Sequence, residues 1–211
     1  MAYYDSGNFT NSIPPVTRNL LIINGIIWLI GGLFRQTWLA GILGLQSIDG
    51  GGFRAYQLIT YMFTHVQFEH FFFNMFAVFM FGRSLEYYWG SKRFLIYYIV
   101  TGIGAGLIQV LICYLQSVLS ITIGASGSVF GLLLAFGMIF PNIPIYIMLI
   151  PVPIKAKYMV IGYGVLEFFF GIANRAGDNV AHFAHLGGML FGIFMILYWK
   201  KKGIDHGNGF F

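Results

Sequence analysis

The chain has 211 residues, of which 58% are hydrophobic and only 9% charged, against about 25% charged in soluble domains. It reads as a multi-spanning membrane protein with no room for a second soluble domain. Its net charge of +5 is dispersed in short loops between apolar runs, which excludes a basic face for nucleic acid and fits the excess of Lys and Arg in cytoplasmic loops. The single cysteine, Cys113, lies inside an apolar run, so no internal disulfide is available.

Residues 1–17 form a polar N-terminal tail, 18–199 a transmembrane domain and 200–211 a short C-terminal tail. The stretch before Asn19 lacks the basic start of a cleaved signal peptide, so the first apolar helix is expected to stay as an anchor. Asn19 to Phe34 is the first span. Arg35 to Tyr56 holds Gly50 to Gly52, Asp49 and Arg54, together with Trp38, Ile42, Leu43 and Leu45. It is too broken to cross a bilayer and too apolar for a solvated linker. A first outer loop with interfacial helical pieces fits, since Trp and Arg favour the headgroup level.

The second span runs from about Gln67 to Tyr88, and the third from about Ser91 to Gln116 with the small residues Gly102, Gly104 and Gly106 that let helices pack closely. Ser117 to Ile123 is an uncharged turn. The fourth span starts at Ser126, inside Gly124-Ala125-Ser126-Gly127-Ser128-Val129-Phe130-Gly131, and stops near Pro141. At about 1.5 Å per residue it is about 22 Å long, shorter than a bilayer core of about 30 Å. Ser126 therefore begins this helix below the membrane surface. Pro141, Pro144, Pro151 and Pro153, with Lys155 and Lys157, mark an extended loop before the fifth span, Lys157 to Ile172. A polar loop holding Asn174, Arg175 and Asp178 precedes the sixth span, Val180 to Trp199, which Lys200 to Lys202 stop. With six spans, nine of the twelve Lys and Arg residues share the side of the termini. That asymmetry places both termini in the cytoplasm, here of a bacterial inner (plasma) membrane, and the Ser126 end nearer the outside.

Polar groups inside a membrane are costly and point to function. Ser126 needs a base, because a free hydroxyl is a weak nucleophile. His182 and His185 on the sixth span are candidates. His70 and Asn74, four residues apart and so on one helix face, offer side-chain N–H groups that with the Ser126 backbone N–H would bind an oxyanion. Gly127 and Gly131, like Gly188 and Gly192, are spaced by four and give the fourth and sixth helices flat faces for close approach. His65 and His182 are expected to support rather than react. Glu167, with no polar neighbour on its own span, is expected to be a protonated or hydrogen-bonded structural residue, and Glu86 to pair with Arg83 on the cytoplasmic side. His65 and His70 flank Glu69 in a pattern resembling a zinc ligand motif, but at a spacing of five they diverge by about 140° around a helix. Zinc pairs want one face, so neither metal nor cofactor is expected.

These residues together resemble the rhomboid family of intramembrane serine proteases. Gly124-Ala125-Ser126-Gly127 is similar to its GxSG nucleophile motif, Ala184-His185-Leu186-Gly187-Gly188 with Gly192 to its base motif, and His70 with Asn74 to its HxxxN element. The resemblance covers about Arg18 to Trp199. It implies an all-α, six-helix membrane bundle with a short central fourth helix, and a Ser126–His185 dyad without an acidic third member. It further implies an oxyanion hole from His70, Asn74 and the Ser126 backbone, and Phe130 packed on His185 where the family often has Tyr. Phe53-Arg54 departs from the Trp-Arg common in the family's first outer loop. The implied activity is hydrolysis of peptide bonds in or beside the transmembrane segments of other membrane proteins, amid membrane lipids, with the loop Ile172 to Val180 as a lid. The alternatives are a non-catalytic binder of membrane proteins on the same scaffold and a transporter. The oligomeric state is not fixed by the sequence.

Overall fold

The structure is a computed structural model that describes residues 13–146, 152–173 and 180–203. Pro15 opens helix α1 (Pro15–Phe34), at a position where its fixed φ and missing N–H suit a first turn. The helix thus starts earlier than Asn19. Glu86 explains why. Its carboxylate accepts the backbone N–H groups of Val16 at 2.9 Å and Thr17 at 2.6 Å, and the Thr17 hydroxyl at 2.8 Å. The Ser91 hydroxyl adds a further bond at 2.6 Å. Two orphan donors of a helix start are satisfied at once by a negative charge. The expected pairing of Glu86 with Arg83 is therefore corrected: Glu86 is buried, while the Arg83 guanidinium lies over the Tyr87 ring. Replacing Glu86 by Gln turns an amide NH2 toward these donors. We expect it to cost about 2 kcal/mol, read as a lowered thermal midpoint in detergent, with the exposed Glu69→Gln as an unchanged control.

The loop between the first two spans carries α2 (Gln36–Leu43), the two-residue strand β1 (Leu45–Gln46) and α3 (Gln57–Thr60), continued by a 3-10 turn at Tyr61–Phe63. Buried Gln57 braces it by accepting the N–H groups of Gln46 and Arg54. The second span is one helical rod, residues 68–89, made of α4 (Phe68–Ala77), a π-helical stretch at Val78–Gly82 and α5 (Arg83–Trp89). Next come α6 (Ser91–Gln116), strand β2 (Ile121–Thr122) and α7 (Ser126–Ile139). The proline loop contains a small hairpin of β3 (Pro144–Ile145) and β4 (Ile154–Lys155), which runs into α8 (Ala156–Ala173). The last helix is α9 (His182–Lys201).

Among the described residues, α1, α6, α8 and α9 are long and apolar enough to cross a membrane, and α7 is a shorter apolar helix. With the 68–89 rod they make the expected six-helix bundle. Pro151, the proposed lid residues 174–179 and most of both tails lie outside the described residues.

The core sits where α6, α7 and α9 pack on one another. Helix α7 is apolar all round and buried along most of its length, as a central helix must be. Helix α8 packs chiefly on α9 and α7 and turns Ile161, Leu166 and Phe169 outward, a surface suited to lipid. The glycines decide how close the core helices come. A Cβ on Gly188 would run into the Gly127 carbonyl, so α9 and α7 touch backbone to backbone there. Gly131 makes room for Thr101 of α6, and Gly192 for Tyr97 of α6 and Leu134 of α7; the Tyr97 hydroxyl donates to the Gly131 carbonyl at 2.8 Å.

Candidate active site

Ser126 is the first residue of α7, so its N–H belongs to the helix start, where donors lack intrahelical partners. The chain is turned into that position by Gly124, whose φ of +106° favours glycine. A side chain there would also meet the His70 ring. Two hydrogen bonds and a strand pairing hold the approach. The Gly124 N–H donates to the Tyr61 carbonyl at 2.9 Å. The Ala125 N–H donates to His65 Nε2 at 3.3 Å. Before the turn, β2 pairs antiparallel with β1, Leu45 opposite Thr122.

His185 lies in the first turn of α9, and its Nε2 is 2.8 Å from Ser126 Oγ. The Gly188–Gly127 contact one turn on brings the two helix starts this close. Phe130, one turn into α7, stacks on the His185 ring with centroids 4.2 Å apart and planes at 8°. The side chain of Ser128, by contrast, is buried away from the cavity, and its hydroxyl donates to the Tyr98 carbonyl at 2.9 Å.

His70 and Asn74 lie on one face of α4 and converge over Gly124. His65 Nε2 accepts from the Ala125 N–H at 3.3 Å, and the Asn74 Nδ2 lies 3.1 Å from the same atom. That contact fixes the Asn74 amide and leaves its second N–H available. Ser126, His70, His182 and His185 line one cavity of about 910 Å³, together with Gln67 and Phe170.

Two features of the site carry no signal in the sequence. Glu167 is not isolated: its Oε2 lies 2.6 Å from His182 Nδ1 and 2.9 Å from His185 Nδ1. The pair Ser126 and His185 therefore has a carboxylate beside it, from α8. Only the histidines were visible as candidates, because Glu167 reaches them from a neighbouring helix. Tyr61 likewise gave no signal in the sequence, yet its hydroxyl donates to the Gly102 carbonyl at 2.6 Å while its own carbonyl holds Gly124.

A hydroxyl on a glycine-turned helix start, an imidazole on its Oγ and N–H donors alongside define a class: polytopic helical membrane proteins with a serine–histidine site. A rhomboid domain model matches residues 52–202. The chain is 33% identical over 171 residues to the mitochondrial RHOMBOID-like protein 6 of Arabidopsis thaliana, which covers 77% of this chain and 50% of that protein. It is 28% identical over 191 residues to the chloroplastic Rhomboid-like protein 11 of the same plant, covering 84% of this chain and 66% of the relative. To Rhomboid-like protease 3 of Toxoplasma gondii it is 25% identical over 152 residues, 71% of this chain and 54% of the relative. The chain belongs to the rhomboid family. It spans between half and two thirds of the length of these relatives.

Proposed function

We propose that the chain is an intramembrane serine endopeptidase acting on transmembrane protein substrates, with Ser126 as nucleophile and His185 as base. The observation that carries this is the 2.8 Å contact between Ser126 Oγ and His185 Nε2 on the wall of the cavity. In the proposed reaction, Ser126 Oγ attacks the scissile carbonyl as His185 Nε2 takes its proton. The oxyanion is bound by the Ser126 N–H with donors from His70 and Asn74. His185 then passes the proton to the departing amine and leaves an acyl-enzyme. Water entering through the cavity, deprotonated by His185, hydrolyses the ester. Phe130 stacking keeps the imidazole face covered and its plane fixed.

Orientation is part of the proposal. The nine-to-three distribution of basic residues supports cytoplasmic termini. The relatives named by compartment are mitochondrial or chloroplastic and lend no support to a bacterial plasma membrane. The test is reaction with a fluorophosphonate probe in detergent. Labelling of the wild type and of Ser128→Ala, lost in Ser126→Ala and His185→Ala, is the expected result. A folded wild type that takes no label would turn the reading to a non-catalytic binder of membrane proteins on the same scaffold.

A further inference from the structure

We propose that Glu167 is a positioning residue for His185: its carboxylate, also bonded to His182, holds the imidazole with the proton on Nδ1 and a bare Nε2 toward Ser126. The inference rests on the Ser126–His185 reading and deepens it.

Nε2 accepts the serine proton only in the tautomer that carries hydrogen on Nδ1, and that hydrogen then needs an acceptor. His185 Nδ1 is buried and has no well-aligned hydrogen bond of its own. A buried donor left so is expensive. The nearest acceptor is Glu167 Oε2, at 2.9 Å but off the ring's N–H axis. On the proposal, a small shift of the Glu167 or His185 side chain closes the bond while Phe130, stacked at 8°, keeps the plane of the ring. Catalytic hydrogen bonds of this kind are often loose before substrate binds. His182 supplies the other half of the device: its Nδ1 bond at 2.6 Å keeps the carboxylate in place.

The charge also matters. When the Ser126 proton arrives at Nε2, His185 becomes an imidazolium with both protons retained, and the carboxylate beside it stays ionised. The groups that face His185 are Ser126 from α7, His70 from α4, His182 from its own helix and Glu167 from α8. Among the described residues there, Glu167 alone offers a negative charge. A fixed anion near a developing cation lowers the barrier strongly where water is excluded. Had Glu167 only a structural bond to His182, the rate at Ser126 would not depend on its charge.

The experiment compares the rate of fluorophosphonate labelling in the full chain with Glu167→Gln and Glu167→Asp, alongside thermal midpoints. Glu167→Gln is expected to slow labelling by about 10- to 100-fold, while Glu167→Asp recovers most of the rate. Labelling of Glu167→Gln at the wild-type rate would overturn the assignment. So would equal slowing in both variants with equally lowered midpoints, which marks a mere prop. A wild-type rate altered by washing with a chelator would overturn it too, since the ligand atoms of Glu167, His182 and His185 lie within 4.8 Å of one another and would then be a metal site. If Glu167→Gln fails to fold, selective 15N labelling of the five histidines decides in the wild type: a His185 proton on Nδ1 supports the proposal, and one on Nε2 sinks it. An unlabelled, well-folded wild type removes the protease reading and the inference with it, an outcome distinct from equal labelling of wild type and variant.

Discussion

Alanine at Ser126 or at His185 is expected to lower fluorophosphonate labelling and substrate cleavage by more than about a thousandfold, with an unchanged thermal midpoint for Ser126→Ala and a lowered one for His185→Ala, which removes a buried ring stacked on Phe130. On the proposed mechanism the two side chains act as a unit. Without His185, the Ser126 hydroxyl has no acceptor for its proton at Nε2 distance, and the attack must proceed through a weak nucleophile. Without Ser126, the base has nothing to deprotonate. The double variant should therefore be no worse than either single one, and strict additivity would argue that the residues work separately. Folding should survive, because Ser126 faces the cavity and truncating it opens no void in the core. Ser128→Ala provides the contrast. Its hydroxyl satisfies the Tyr98 carbonyl in the interior, so its loss should cost about 1 kcal/mol of stability and leave labelling intact. Labelling lost in Ser128→Ala at an unaltered midpoint would contradict this geometry.

Gly188→Ala is expected to be nearly as damaging by a different route. The added methyl would meet the backbone carbonyl of Gly127, and a backbone cannot swing aside as a side chain can. The helices α7 and α9 must separate, and overpacking of this kind costs about 1–3 kcal/mol. In a chain of this size each kcal/mol is worth about 2–4 °C in midpoint. The larger consequence is chemical. A shift of about 1 Å between nucleophile and base costs about a hundredfold in rate, so labelling should fall far more than stability does. Gly162→Ala is the control, since nothing lies within 4 Å of its Cβ position. Wild-type labelling of Gly188→Ala would show that the backbone contact does not set the Ser126–His185 distance.

Much of this arrangement was legible because membrane helices obey simple rules. Ser91 to Gln116 is apolar between a basic turn and a polar one, and the third helix has those bounds. The site was legible for a similar reason: polar side chains are rare in lipid, so Ser126, His70, Asn74 and His185 stand out. What was hidden has one physical cause. Periodicity reports which residues share a face of one helix and says nothing of the neighbouring helix. The spacing of Gly131 and Gly192 predicts a flat face, and the space beside them is filled by Thr101 and Tyr97 of α6 and Leu134 of α7. Glu167 seemed solitary because its partners lie on α9. Glu86 looked like half of a local ion pair because its donors sit at the far end of the sequence, at Val16 and Thr17. Strands as short as β1 and β2 carry no alternation to read.

That short ladder ties the loop after α1 to the start of α7. Packing on α6 and α9 fixes α7 within the bundle, and the ladder fixes its start relative to the loop. Here the Leu45–Thr122 pairing, extended by the Ser47 N–H on the Ser120 carbonyl at 3.1 Å, fastens the run into Ser126 to a loop bearing the exposed Trp38. The loop works as a float and the ladder as a sounding line of fixed length. On the proposed activity, the bond that is cut would be selected by its depth below the membrane surface as much as by the residues that flank it.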